Sequence, residues 1–127
     1  MKVYDLYGIS LKDGDVACSI ISQALKICFN PHVGDFWGEY FLAGLGEIGT
    51  YRLVQNFRDG EWEEEEYKGY PWLLEVNGLE NSDEIFHLLS KISEAVFLYR
   101  SEVESKRWSR RYLYKDGNFL MTHELIL

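Results

Sequence analysis

Two periods of apolar residues alternate along the chain, and the changes of period mark out strands and helices. Residues 2–9 (KVYDLYGI) are rich in β-formers and predict a first strand. Residues 13–27 switch to a helical period, with Val16, Ile20, Ile21, Ala24 and Ile27 as the apolar stripe. Asp13 suits the N-cap and Asp15 the positive end of the helix dipole, while Asn30-Pro31 ends the element. Residues 35–42 (DFWGEYFL) and 48–57 (IGTYRLVQNF) predict a hairpin joined through Ala43-Gly44-Leu45-Gly46. In its second strand Tyr51, Leu53 and Phe57 alternate with Thr50, Arg52 and Asn56.

Residues 70–77 (YPWLLEVN) predict another strand, with Pro71 placed near its start because proline cannot donate to the ladder. A second helix is expected over 81–92. Asn81 and Glu84 are spaced as a capping box, and Ile85, Phe86, Leu88, Leu89 and Ile92 face inward. Residues 95–99 read as a strand, and 100–107 fit either its continuation or a short helix. Residues 108–114 and 119–126 flank Lys115-Asp116-Gly117-Asn118, where Asp-Gly supplies the positive φ of a tight turn, so a C-terminal hairpin is expected. The order β-α-β-β-β-α-β-β-β implies one α+β domain over 1–127, a mostly antiparallel twisted sheet with two helices packed on one face.

Charge changes this picture most. The chain carries 21 Asp/Glu against 13 Lys/Arg, a net charge of −8. Residues 1–84 hold 6 bases and 16 acids, net −10, and residues 85–127 are net +2. Such a balance argues against binding a phosphate backbone or an anionic membrane and favours a basic partner. Aromatics at 16% suit both sheet faces and binding interfaces. The N-terminus lacks the long apolar stretch of a secretory leader, no run is long enough to span a membrane, and Cys18 and Cys28 make no disulfide framework or zinc pattern. A cytoplasmic location is expected.

The acid is densest at residues 59–67 (DGEWEEEEY), between two predicted strands. Three readings compete: a solvated loop, a cation site and a partner-facing patch. A calcium or magnesium loop spaces its oxygen ligands with glycine or asparagine, which this run lacks, so no metal or cofactor is expected. A solvated loop is the default for such a run; Trp62 and Tyr67 strengthen the third reading, because large rings within a charged loop want burial under it or in a partner. The candidate partner-binding residues are Asp59, Glu61, Trp62, Glu63, Glu64, Glu65, Glu66 and Tyr67.

Catalytic signals are weak. His87 falls on a wet helix face and His123 in the last strand. His32, near Cys28, Asp35 and Glu39, is the one histidine around which a small-ligand or enzyme pocket could form. Gly44-Leu45-Gly46 with Gly49 imitates a dinucleotide fingerprint but lies inside a predicted hairpin. Lys106, Arg107, Arg110 and Arg111, interleaved with Trp108, Tyr112 and Tyr114, could track a single nucleic-acid strand. On an acidic protein they better fit charges that guard sheet edges. No catalytic residues, and no nucleic-acid or membrane partner, are expected.

Tyr4-Asp5-Leu6-Tyr7-Gly8-Ile9 followed by a helix, Gly38-Glu39-Tyr40-Phe41, and the acidic connection leading to Pro71-Trp72-Leu73-Leu74-Glu75-Val76-Asn77 together resemble small acidic immunity proteins. These accompany bacterial polymorphic toxins, including contact-dependent growth inhibition systems. The resemblance covers residues 4–92 and carries no functional residues position by position. It implies a non-enzymatic protein that binds its cognate toxin and blocks it. An acidic adaptor or regulatory subunit is the alternative of another class.

Overall fold

In a computed structural model, which describes residues 1–44, 50–78 and 81–127, the chain forms a large antiparallel sheet with both helices on one face. Its strands are β1 (Lys2–Ile9), β2 (Asn30–Gly34), β3 (Gly38–Ala43), β4 (Thr50–Gln55), β7 (Trp72–Asn77), β8 (Ala95–Glu104), β9 (Trp108–Lys115) and β10 (Asn118–Ile126). A small separate pair, β5 (Phe57–Arg58) and β6 (Glu61–Trp62), lies between β4 and β7 in the chain. The large sheet runs β10-β9-β8-β1-β7-β4-β3-β2. Each of its pairings among the described residues is antiparallel. The expected α+β class, the one-sided helices and the C-terminal hairpin all hold.

Helices α1 (Gly14–Leu25) and α2 (Ser82–Leu89) cover one face, where Ala17, Ile21, Leu25, Ile85 and Leu89 pack with Tyr7, Ile9, Phe41, Leu53, Leu74 and Val76. Asp13 caps α1 as expected, its carboxylate accepting from the amides of Asp15 (2.9 Å) and Val16 (3.2 Å). The buried stripe of α1 is rotated from the expected one: Ala17, Ile21 and Leu25 are buried, and Val16 is 45% exposed. The helix entry sets this phase. The Trp72 indole donates to the Lys12 carbonyl (3.0 Å), and its ring lies where a side chain on Gly14 would stand.

Helix α2 also departs from expectation, since Asn81 makes no side-chain cap bond. Its ψ of 34° is not the extended geometry that aims an N-cap side chain at the first turn.

Strand β1 sits in the middle of the sheet and is buried from Asp5 to Ile9, so both of its faces are covered. The second face carries Leu6, Val54, Leu73 and Leu98, with Trp37, Tyr40, Tyr67, Tyr70 and Tyr99 packed on them. A bulge fixes who joins which face. Leu6 pairs with Tyr99 and Tyr7 with Phe97, leaving Leu98 as the extra residue. Period-2 alternation from Phe97 would put Tyr99 under the helices; the bulge moves it to the second face and brings Arg100 to the helix side.

There Arg100 donates to both oxygens of the buried Asp5 (2.8 and 3.0 Å) and to Asp83 of α2 (2.8 Å), and it lies over the Phe119 ring. Burial pushes the Asp5 carboxyl up against the opposing pull of Arg100. Asp5 and Asp83 hold the Arg100 guanidinium firmly charged.

Residues 100–104, ambiguous in sequence, continue β8. The expected strand over 35–42 starts later: Asp35, Phe36 and Trp37 form the turn between β2 and β3, and β2 itself was not foreseen. Leu45 and Gly46 of the connection over 43–46, and the expected strand start at Ile48, lie outside the described residues.

Candidate functional site: an acidic excursion clasped on the sheet

Residues 57–70 leave the end of β4 and return to the start of β7, lying on the sheet face that the helices leave open. Asn56 closes the excursion. Its side chain is fully buried, with Nδ2 donating to the carbonyls of Tyr67 and Tyr70 (both 2.9 Å) and Oδ1 accepting from the Glu64 amide (2.8 Å). Its backbone amide donates to Pro71 O (2.9 Å), and its carbonyl accepts from the Glu63 amide (2.7 Å). One side chain thus ties both limbs of the loop to the sheet, as the pairing of buried polar groups requires.

Within the loop, Asp59 and Gly60 both have positive φ (50° and 81°), the geometry of a two-residue type I′ turn joining β5 to β6. Next, Glu65–Tyr67 make one 3-10 turn. Where the loop rejoins the sheet, the Tyr70 ring lies on Gly8 of β1, so close that a Cβ on Gly8 would stand 2.4 Å from the ring. Glycine at position 8 makes room for this seat.

The eight candidate residues divide into two sets. Four have side-chain partners, Glu64 and Tyr67 on the sheet and Glu63 and Trp62 within the loop itself. Glu64 is half-buried and accepts from the Tyr99 hydroxyl (3.0 Å), and Tyr67 stacks against Tyr99 with ring centroids 6.4 Å apart. Glu63 pairs with Arg58 (3.1 Å), and Trp62 leans on Phe57 at 4.7 Å. Burial raises both the Tyr67 and Tyr99 phenols above their ordinary values, with Glu66 and Glu64 adding to it at Tyr67 and Glu64 at Tyr99, so the Tyr99 hydroxyl stays protonated to donate to Glu64. Asp59, Glu61, Glu65 and Glu66 are exposed, and of these only Glu65 has an ion-pair partner among the described residues, Lys68 at 3.6 Å.

The β2–β3 turn adjoins this surface. Gln55 Nε2 donates to the Glu39 carbonyl (3.1 Å), and the Arg58 guanidinium stands 5.6 Å from the centre of the Phe36 ring. Phe36 is 68% exposed and packs edge-on against Trp37, whose other neighbours are Tyr40 and the Arg52 guanidinium at 4.2 Å. Phe36 and Phe57, both exposed, and the half-buried Trp62 therefore stand among Asp35, Asp59 and Glu61 on two neighbouring hairpin tips.

No known protein-family model, curated protein or solved structure matches the chain. The site is therefore read from its own geometry.

The other sequence candidates disperse. His32 lies on the exposed edge strand β2 and stacks on Tyr40 at 5.4 Å. It registers with Tyr40 while Val33 registers with Glu39. Neighbouring register pairs point to opposite faces, so His32 and Glu39 do not converge. Three open grooves among the described residues, of about 530, 350 and 220 Å³, lie along the sheet around Ser101, Arg100 and Glu75, and His32 lines none of these three. Among the described residues no group of three or more His, Cys, Asp or Glu gathers as a metal site. No helix among them is long and apolar enough to cross a membrane.

The basic residues of β9 split between faces. Arg110 pairs with Glu124 (2.7 Å) over the Trp108 ring, and Arg111 lies over Tyr99. They form no single track. Nor do they guard an edge, because β9 is flanked by β8 and β10.

Sequence reasoning missed Asn56 and Phe36. The signal for the first was a polar residue held at the end of an apolar strand just before the Asp59-Gly60 turn pair. For the second it was Gly34 and Gly38 bracketing an aromatic pair.

Proposed function

We propose that the chain is a binding protein that neutralises a cognate bacterial toxin: an immunity protein acting in the cytoplasm through its acidic, aromatic surface. The observation that carries this reading is the division of the excursion. Glu63, Glu64 and Tyr67 are spent on holding the loop rigid, while Asp59, Glu61, Glu65 and Glu66 stay outward beside Trp62, Phe57 and Phe36. A loop that served only solubility would not need its backbone fixed at Asn56 from both sides. Preorganisation of this kind lowers the ordering cost of binding. Exposed carboxylates steer a basic partner, and the rings supply the desolvated anchors. A nuclease cleft, basic because it holds phosphates, has the complementary chemistry.

The test is co-expression with the toxin domain encoded beside this chain. Wild-type chain should restore growth. The variant D59N/E61Q/E65Q/E66Q should associate about tenfold more slowly at low salt, with the deficit closing as salt rises. Phe36→Ala together with Trp62→Ala should instead speed dissociation. Failure to restore growth, or association kinetics blind to both sets, would defeat the proposal.

A further inference from the structure

Strand β10 carries an irregularity that turns a side chain around. Met121 registers with Tyr112 and His123 with Arg111, so Thr122 is an extra residue in the ladder. Tyr112 in turn registers with Arg100, on the helix side of the sheet. Counting by twos from Met121 would put His123 on that side too; the bulge sends it to the open face. It arrives beside Arg111, which registers with Ser101. Together with Ser109 these side chains line an open groove of about 530 Å³.

The donors in this groove lack acceptors. Arg52, Arg58, Arg100 and Arg110 each pair with a carboxylate. Arg111 pairs with none among the described residues. Its guanidinium lies 4.1 Å from the centre of the Tyr99 ring, whose hydroxyl donates to Glu64. Stacking of this kind fixes the plane of a guanidinium and leaves its N–H edge free. Glu124, the carboxylate that lines the groove, is taken by Arg110 at 2.7 Å. Thr122 Oγ1 stands 2.9 Å from His123 Nδ1 and 3.4 Å from the Arg111 carbonyl. Donating at the shorter contact, it keeps the neutral ring's proton on Nε2, and the charged ring carries one there as well. The Ser101 and Ser109 hydroxyls have no partner among the described residues.

Converging donors without an acceptor suit an oxyanion, and the surroundings say which. Glu64 lies beyond Tyr99, and Glu75 lines an adjoining groove that shares Ser101. Their field opposes a phosphate dianion more than a carboxylate. A carboxylate also matches the guanidinium fork with two parallel hydrogen bonds. Val103 and Leu125 line the same groove and offer apolar surface to the body that carries the charge. The volume is that of a small-molecule site.

We propose that this groove binds a small carboxylate with a short apolar body, clamped by Arg111, His123, Ser101 and Ser109. The site stands independently of the toxin-binding reading.

Hexanoate is the probe, titrated at fixed ionic strength into the isotope-labelled full chain. NMR follows the Arg111 Nε–H, the His123 ring and the backbone amides. Saturable shifts should centre on Ser101, Ser109, Arg111 and His123. Hexanol should give none there, and hexyl phosphate should bind more weakly than hexanoate. Arg111→Gln should weaken hexanoate about tenfold, the loss of one charged hydrogen-bonded contact. Lys115→Gln removes the same charge from the same strand outside the groove and should leave the affinity unchanged. The amide spectrum of each variant reports its folding, and the contrast of hexanoate with hexanol in wild type needs no variant. Shifts that never saturate, or that scatter away from the groove, overturn the proposal. Wild-type affinity in Arg111→Gln, equal losses in both variants, or tighter binding of hexyl phosphate overturns it as well.

Discussion

Replacing Asn56 should detach the excursion while leaving the helix side of the sheet in place. Asn56→Ala removes three hydrogen bonds, to Tyr67 O, Tyr70 O and the Glu64 amide. At about 1 kcal/mol net for each bond the loss is about 3 kcal/mol, and more if the orphaned groups stay dry. Because these partners are only part-buried, water can reach some of them once the loop lifts, so about 2–4 kcal/mol is expected. Asn56→Asp is the sharper perturbation. It keeps an acceptor for Glu64 N–H but turns the donating end into a second oxygen facing two carbonyls. The aspartate should therefore cost at least as much as the alanine near neutral pH. It should recover on acidification, when the protonated acid can again donate to one carbonyl.

Urea unfolding gives the equilibrium change, and native-state hydrogen exchange gives its location. The Glu63 and Glu64 amides should lose protection in both variants, while those of β1 beyond the Tyr70 seat should retain it. A loss below about 1 kcal/mol in Asn56→Ala, within the range of an ordinary surface substitution or little above it, would show that the loop holds itself in place. Unchanged protection of Glu63 and Glu64 would refute the clasp outright.

Three further outcomes follow from buried groups. Asp5→Asn should destabilise by about 3 kcal/mol, because it leaves the Arg100 charge on its single exposed partner Asp83, and Asp5→Leu with Arg100→Met should recover most of the loss; a double variant weaker than Asp5→Asn in urea would contradict this. Tyr7 carries a buried hydroxyl with no hydrogen-bond partner among the described residues, so Tyr7→Phe should raise stability by about 1 kcal/mol, read as a higher urea midpoint. Burial raises the Glu75 carboxyl above its ordinary range despite the Arg52 ion pair at 3.1 Å. A raised folded value means that its contribution is complete below the ordinary carboxylate pKa and is lost as pH rises through the folded value. The urea midpoint of Glu75→Gln should therefore move in the variant's favour, relative to wild type, between acidic and neutral pH; a gap moving the other way rules out the desolvation account.

The architecture was legible wherever one period held over a full element. The strand at 2–9, the helix begun by Asp13 and the turn at Asp116-Gly117 were set by local chemistry that tertiary packing had no reason to override. Errors fell where packing chose between local options of similar energy. The Val16 stripe and the Ala17-Ile21-Leu25 stripe differ by one residue step, about 100° of rotation about the helix axis, and in the observed phase the Trp72 indole, far away in sequence, anchors the helix entry at Lys12. Strand β2 was hidden by Pro31, which ends a helix and equally well opens an edge strand. The face of Tyr99 was not readable at all, because the bulge at Leu98 changes the phase within an unbroken strand.

The candidate site illustrates the same limit from the side of function. Charge density located the excursion but could not separate carboxylates that hold a loop from carboxylates that face outward. That distinction depends on Asn56, Arg58 and Tyr99; the first two lie just before the acidic run, but which carboxylates they hold is set by the folded loop, and Tyr99 lies 35 residues from Glu64. Once those partners are assigned, the two sets should respond differently to substitution. Glu63→Gln or Glu64→Gln acts through loop stability and should be weakly sensitive to salt, being tied to short hydrogen bonds. Neutralising Glu61 and Glu66 should leave folding unchanged and, on the proposed function, slow only the encounter with the partner, an effect that salt should remove. The salt dependence of each variant, more than the size of its effect, therefore distinguishes scaffold from surface among residues that look identical in the sequence.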